Sequence, residues 1–463
     1  MMEKQINVVI LAAGQGTRMK SKYAKVLHRA GGLTLVEHVV NAAAAITAPK
    51  RIVVVVGHQG EAVKAALAHT AVCFAVQSEQ KGTGHALLMC RDLCPAEGLL
   101  VVLYGDCPLL SADSLRTLVD MHQTSGAAAT LIATRLDDPA GYGRVIVDAN
   151  GSVEAIVEQK AATAEQLQVS LINSGIYCFR ADLLWKSIGE IRPDNPANEY
   201  YLTGIVEIFR RAGHKTAVFE MKDPGELLGI NTRVELAAAD KLFRERKVRE
   251  LMLAGVTIER PETVTIDAQV RIGMDTIVEP FARILGKTAI GEDCRIGACS
   301  VIENSTLADG VAIAGLTMVA DSTVGAGAKV GPYSRLRMEN EVGPGCHIGN
   351  FVELKKTRLM AGVKANHLAY LGDSEIGAKT NIGAGTITCN YDGVHKHKTE
   401  IGEGVFIGSN ATLVAPIHIG DGSYVGAGSV ITHPVPVDAL AVGRGRQVNK
   451  EHWAERRREK MGK

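Results

Sequence analysis

Two groups of residues in this chain have types and spacings that could do chemistry. The first starts at Leu11-Ala12-Ala13-Gly14-Gln15-Gly16-Thr17-Arg18-Met19-Lys20. A Gly-rich turn between a strand and a helix start presents backbone N–H groups that can cradle an anion. Arg18 and Lys25 add two cations suited to a triphosphate. Met19 stands where a dinucleotide fingerprint has its third small residue, and the G-K-[ST] ending of a P-loop is absent. On residues alone, nucleotide binding and a plain turn both remain open. Tyr104-Gly105-Asp106-Cys107-Pro108-Leu109 follows an apolar run, so Asp106 falls where a doubly wound sheet places its ligands. Its carboxylate is a hard oxygen suited to Mg2+, or simply a turn former. Between these segments lies Gln77-Ser78-Glu79-Gln80-Lys81-Gly82-Thr83-Gly84-His85-Ala86. The Gln77 amide carries both a hydrogen-bond donor and an acceptor.

The second group lies near the C-terminus: Arg337, Lys355, His367 and Tyr370, then Cys389-Asn390-Tyr391-Asp392-Gly393. Acyl transfer to an amine needs a base, because only the free amine attacks a thioester. Histidine serves near neutral pH, which makes His367 the candidate, with a packed or solvated histidine as the alternative. Arg337 and Lys355 would suit a phosphate-bearing sugar. His395 and His397 alternate with lysines and read as solvated residues.

The elements that must hold these groups differ between the two halves. Asn7–Leu11, Arg51–Val56 and Leu99–Tyr104 are continuous apolar runs, as expected of central strands buried on both faces. Helical segments such as Leu35–Ile46 and Glu61–Ala68 alternate with them, which predicts a mostly parallel α/β domain over 1–231. Residues 232–254 read as a linker helix, with Thr232 and Glu235 as a capping box and Gly255 as its stop. Leu236, Leu242, Val248 and Leu251 mark its expected buried side.

Beyond the helix the apolar period is six, from about 264 to 431, within a domain spanning 255–463. Ile290, Ile296 and Ile302, then Val324, Val330 and Leu336, then Val342, Ile348 and Leu354 fall at six-residue intervals. The pattern recurs at Ile376, Ile382 and Thr388, at Ile401, Ile407 and Leu413, and at Ile419, Val425 and Ile431. It predicts a parallel β-helix with about 18 residues per coil, a glycine after many inward residues easing the corners. Residues 355–370 and 389–400 break the hexad and are expected to leave the coil as loops.

Bulk properties exclude other classes. A formal net charge of +1 gives no global attraction to nucleic acid or anionic membranes. No apolar run approaches a bilayer span, and Met1–Asn7 has no targeting segment. The nine cysteines form no C-x-x-C pair and read as reduced side chains of a cytoplasmic protein. The basic tail, Asn449–Lys463, is either a solvated segment or a cover for a coenzyme phosphate.

The string L-A-A-G-x-G-T-R-M with Lys25 resembles the sugar-1-phosphate nucleotidyltransferases over the first ~230 residues. Gly141-Tyr142-Gly143-Arg144, Glu158, Asn173-Ser174-Gly175 and Asn231 resemble sugar- and metal-contacting motifs of its uridylyl branch. The chain departs from that pattern at Ala24, usually Pro, and at Gly204, often Asp. With N-I-G-A-G-T-I-T-C-N-Y-D-G, nearly the whole chain resembles the bifunctional N-acetylglucosamine-1-phosphate uridylyltransferase/glucosamine-1-phosphate N-acetyltransferases.

That resemblance implies a Rossmann-like unit followed by a left-handed β-helix, in a homotrimer. It implies catalytic roles for Arg18, Lys25 and His367, with Glu353 orienting the base. Leu11, Ala12, Ala13, Gly14, Lys25, Gln77, Gly82, Thr83, Tyr104, Gly105, Asp106, Gly143, Glu158, Asn173 and Asn231 would bind UTP or the nucleotide sugar. Asp106 and Asn231 would hold Mg2+. Arg337, Lys355, Tyr370, Asn381, Asn390 and Tyr391 would bind glucosamine 1-phosphate. Ala384, Ser409, Ala427 and Arg444 would line an acetyl-CoA cleft. The alternative is a monofunctional nucleotidyltransferase whose β-helix only oligomerises or regulates.

Overall fold

The computed structural model describes residues 5–195 and 198–462. Met1–Lys4, where the N-terminal stretch begins, and Lys463, which ends the basic tail, lie outside the described residues. The chain divides into two compact units, Met1–Phe243 and Arg244–Lys463.

In the first unit the main sheet runs, in spatial order, Thr216–Glu220, Ala129–Arg135, Leu171–Arg180, Leu99–Tyr104, Ile6–Leu11, Ile52–Val56, Cys73–Val76. Neighbours are parallel except Leu171–Arg180, which is antiparallel to both strands beside it. Alternate residues of the apolar runs feed two separate cores. Val9, Leu11, Leu100 and Val102 pack on one face, Val8, Ile10, Val101 and Leu103 on the other. Burial on both faces is why these strands show no apolar–polar alternation. The expected helices are present as Leu35–Ala44, with a Thr34–Glu37 capping box, and Gly60–Ala66. From Ile6–Leu11 the chain winds first to Ile52–Val56 and Cys73–Val76 on one side, then returns to Leu99–Tyr104 on the other. A crevice therefore opens past Leu11 and Tyr104, the usual ligand position in such sheets.

The helix Arg233–Leu253 begins with the expected capping box: Glu235 N donates to Thr232 Oγ1 at 3.2 Å and Thr232 N to Glu235 Oε2 at 2.8 Å. The division between units falls inside it. Ala239, with Leu236 and Phe243, packs on the first unit, and Val248 and Leu251 join the core of the second. Leu242, expected on the buried side, is 39% exposed. At about 100° per residue the face set by 236, 239 and 243 turns position 242 outward.

The second unit is the β-helix: three parallel ladders of short strands, with partners such as Ile284↔Ile302, Ile290↔Leu307 and Ile296↔Ile313. All eighteen hexad positions named above are buried. Two expectations need correcting. The glycines after inward residues are set by coil-to-coil approach more than by corner conformation. A Cβ on Gly383 would lie 2.6 Å from the carbonyl carbon of Gly408, and one on Gly273 equally close to Gly291, with no left-handed φ at either.

The other correction concerns residues 355–370, which stay in the coil. Glu353↔Tyr370, Leu354↔Leu371 and Asn350↔His367 are in register. The inward residues there are Leu354, Leu359, Ala365 and Leu371, all buried. One five-residue step and one small inward residue hid the repeat. Of residues 389–400, Cys389, Thr399 and Glu400 stay in the ladders, and the segment 390–398 leaves the coil, a Tyr391↔Lys396 bridge closing the loop. Among the described residues no helix is long and apolar enough to cross a membrane.

Candidate active sites

The first site is assembled at the strand ends of the α/β unit. Gly16 is left-handed (φ 63°), and a Cβ there would lie 2.5 Å from Lys25 Cβ, so glycine lets the loop close on the lysine. The short helix Lys25–Leu27 aims the ammonium at two oxygens. Lys25 Nζ donates to the Asp106 carboxylate and, at 3.0 Å, to Asn231 Oδ1. Arg18 Nη2 donates to the same Asn231 oxygen at 2.8 Å. Asn231 Nδ2 donates to Gly229 O at 3.0 Å, which fixes the oxygen toward the cations. Glu235 Oε2 accepts from Asn231 N at 2.6 Å, and Ile230 N donates to Asp106 O at 2.8 Å.

Arg18, Tyr104, Asp106, Gly143, Glu158, Asn173 and Asn231 line one cavity of about 390 Å³. Burial raises the Glu158 carboxyl above the usual carboxylate range and pushes up the Tyr104 phenol, Asp106 adding to the latter. Asn173 Oδ1 accepts from Gly175 N and Tyr177 Oη, both at 3.0 Å, across a bulge in its strand. Leu11 and Ala12 end the first strand: Gly105 N donates to Leu11 O and Ala12 N to Val55 O, while Ala13 O accepts from His58 N. Gly14 has open space where a side chain would stand.

Gln77 is buried, and its Nε2 lies 3.1 Å from both Gly82 O and His85 Nδ1. Gly82 (φ 102°) packs on Tyr200 backbone, and Thr83 Oγ1 accepts from Leu202 N at 2.9 Å. The loop is thus pinned from both ends. Asp106 and Asn231 also pass a test as cation ligands, since two hard oxygens already face one positive centre. Mg2+ takes few protein oxygens and completes its shell with phosphate and water.

The second site lies on the β-helix. Arg337, Lys355 and Gly372 stack on successive coils of one ladder, as do Glu353 and Tyr370. Arg337 Nε donates to Glu353 Oε1 at 2.5 Å, so the guanidinium holds that carboxylate. Tyr370 Oη and Asn390 Nδ2 both lean over Gly372, where a Cβ would meet them at 2.5 and 2.8 Å. Asn390 Nδ2 donates to the Asp373 carboxylate. Lys396 and, less strongly, Arg337 hold the Lys355 ammonium below the usual lysine range. Arg337, Lys355 and Lys396 thus gather three cations beside the two carboxylates of Glu353 and Asp373. Tyr391 is exposed, its hydroxyl donating to Gly393 O at 2.6 Å.

His367 is exposed at the corner after the strand Lys364–His367. Ala384, Ser409 and Ala427 occupy the same corner on the next coils, linked by Asn410 N to Ala384 O and Gly428 N to Ser409 O. The small residues leave a strip beside the histidine running about 14 Å over three coils. Asn381 stands apart, on the ladder of Lys364 and Phe406. Arg444 is exposed in the C-terminal segment. One chain therefore brings together Arg337, Lys355, Tyr370 and Asn390 but leaves Asn381 on another face.

Comparison with known proteins agrees with this division. Residues 8–169 match the MobA-like NTP transferase domain, and residues 269–304 and 398–433 match the bacterial transferase hexapeptide (six repeats). The chain is 58% identical over 458 residues to the bifunctional protein GlmU of Solibacter usitatus, covering 99% of this chain and 98% of that protein. It is 50% identical over 463 residues to that of Koribacter versatilis, covering 99% of both. It is 43% identical over 450 residues to that of Streptococcus agalactiae serotype V, covering 97% of both. The chain belongs to the GlmU family.

As a GlmU-family protein it is a bifunctional transferase, a uridylyltransferase and an acetyltransferase in one chain, and the monofunctional reading is set aside. Sequence reasoning missed two site residues. Lys396 sits in the 389–400 loop, where no period signals which cation folds back. Asp373 carries no local signal, because its contact with Asn390 spans 17 residues.

Proposed function

We propose that the β-helix acetylates glucosamine 1-phosphate from acetyl-CoA and that the α/β unit then converts the N-acetylglucosamine 1-phosphate to UDP-N-acetylglucosamine. The observation that carries the second step is the convergence of Arg18, Asp106 and Asn231 in one strand-end cavity, with Lys25 bonded to the last two. A sugar phosphate oxygen, already anionic, attacks the α-phosphorus of UTP, and the α–β bond breaks to release pyrophosphate. No protein base is required. Arg18, Lys25 and the loop N–H groups offset the charge that develops, and Gln77, Gly82 and Thr83 hold the base. Asp106 and Asn231 would hold Mg2+, which would supply positive charge against the phosphates. Tyr104, Gly143, Glu158 and Asn173 shape the sugar end of the cavity.

In the acetyl transfer His367 takes the proton from the amine as its nitrogen attacks the thioester carbonyl, and the CoA thiolate leaves. Arg337, Lys355 and Lys396 receive the sugar phosphate beside Tyr370 and Asn390. The Ala384–Ser409–Ala427 strip takes acetyl-CoA, with Arg444 toward its phosphates.

The working form is a cytoplasmic homotrimer with acetyltransferase sites between chains. A strip of left-handed corner residues supports this: Phe281, Leu316, Tyr333, Phe351 and Leu368 are each 48–61% exposed, with Tyr333 and Phe351 stacked at 5.4 Å. Contiguous exposed apolar surface of this kind marks a contact with another molecule.

Incubating the purified protein with glucosamine 1-phosphate, acetyl-CoA, UTP and Mg2+, omitting each in turn, tests the reading. UDP-N-acetylglucosamine should form only in the complete mixture, and CoA release should persist without UTP. Pyrophosphate release from N-acetylglucosamine 1-phosphate with no CoA release from glucosamine 1-phosphate would contradict it.

A further inference from the structure

We infer that His28 and Arg233 are a pair of positioning residues that hold the two halves of the uridylyl site against each other. Arg233 Nη1 lies 3.1 Å from His28 Nδ1. A guanidinium only donates, so Nδ1 accepts and the imidazole proton sits on Nε2, in the neutral form. Burial, with Arg233 adding to it, holds the His28 pKa below the ordinary histidine value, in keeping with that form. The ring is 8% exposed, and Nε2 is buried without a hydrogen-bond partner. A buried, half-satisfied imidazole is costly, so its retained contact calls for a reason.

The reason lies in what each partner carries. His28 closes the Lys25–Leu27 turn through His28 N to Lys25 O at 3.2 Å, and His28 O accepts from Leu35 N at 2.9 Å. Arg233 is the first residue of its helix, two positions after Asn231. Lys25 Nζ and Asn231 Oδ1 meet at 3.0 Å. The contacts therefore form a closed ring: Lys25, its turn, His28, Arg233, the helix start, Asn231 and back to Lys25. Further along, Gly31 N donates to Asp240 Oδ1 at 2.8 Å and Ala30 and Leu35 pack with Leu236 and Ala239, and the His28–Arg233 bond extends that seam to within three residues of Lys25 and two of Asn231. Outer contacts that orient cation ligands commonly cost about 10- to 100-fold in activity or metal affinity when removed.

This rests on the reading of Lys25, Asp106 and Asn231 as the uridylyl site. Full-length H28A, H28N, R233M and the H28A/R233M double variant would be compared, with D106N alongside. Uridylyl kcat/KM and the Mg2+ concentration for half-maximal rate would be measured, with acetyl transfer as the control for folding. Amide hydrogen exchange over Lys25–His28 and Asn231–Leu236 would be followed in metal-free protein. H28A and R233M should each lose about 10- to 100-fold in uridylyl transfer and require more Mg2+. The double variant should lose no more than the worse single, and both segments should exchange faster. H28N, whose carboxamide oxygen can take the Nδ1 position, should recover most of the loss.

If H28A fails to fold, R233M and H28N decide. Additive losses in the double variant, H28N no better than H28A, or unchanged exchange in R233M would overturn the proposal. Full uridylyl activity in D106N would instead overturn the site reading on which it rests.

Discussion

The two sites are built in opposite ways. The α/β site gathers Gly16, Lys25, Asp106 and Asn231 from distant parts of one chain and locks them with charge-assisted contacts. Lys25 and Asp106 are only 14% and 16% exposed. The β-helix site spreads its candidates along successive coils and on more than one face, with half-buried Asn381 apart from half-buried Arg337, Lys355 and Tyr370. A sheet with a switch point makes a crevice by topology alone, whereas on the β-helix a cavity of about 390 Å³ forms where Lys396–Lys398 of the off-coil loop meet Lys356, Asp373 and Glu375. On the proposed reading the first site is complete within a chain and the second is shared with a neighbour.

Four substitutions or conditions would break or sharpen that contrast. His367→Ala should have the largest effect, removing a general base worth about 10²–10⁴-fold in acetyl transfer while leaving uridylyl transfer intact. Loss of both activities in a folded protein would end the two-site account. Asp106→Asn should do the converse, lowering uridylyl transfer by about 10²–10³-fold, as loss of one preorganised electrostatic group does, with CoA release unchanged. Lys396→Ala should raise KM for glucosamine 1-phosphate by about tenfold, an effect that fades at high salt because the residue is exposed. An unchanged KM would remove Lys396 from the anion site.

The smallest effect concerns stability at alkaline pH. Burial raises the thiols of Cys90 and Cys178 well above their ordinary value and that of Cys94 to about 12. An unfolded thiol titrates near ~8.5. As pH climbs from there toward 12, the unfolded chain sheds protons that the folded one keeps, so stability is lost as pH rises. Each thiol contributes at most about 1.4 kcal/mol per pH unit. Thermal unfolding at pH 7.5 and 9.5 should show the α/β unit weakening more than the β-helix. Equal weakening would contradict this.

Much of the fold was legible because apolar periodicity reports burial directly. The two-faced strands and the hexads of inward residues follow from it, and the Thr232–Glu235 box is a local signal. What escaped was non-local or off-period. The Leu354–Leu359 step of five and the small Ala365 concealed a regular coil. His367, in a segment expected to loop out, ends the strand Lys364–His367. The site residues carried by motifs lie where strands and corners end. Lys396 and the His28–Arg233 contact have no sequence signal, because each depends on a segment folding back over its own or a distant part of the chain.

The contrast between a site complete in one chain and one shared between copies can be tested by mixing inactive partners. Lys355→Glu and Asn381→Ala lie on different faces, and each should be deficient in acetyl transfer. Co-expressed in one cell and purified as mixed oligomers, they should regain acetyl transfer above either parent, because some sites draw both intact residues from neighbouring chains. Co-expression of Lys25→Ala with Asp106→Asn should restore no uridylyl transfer. Acetyl transfer in the mixed oligomers no higher than the average of the two parents would contradict the account.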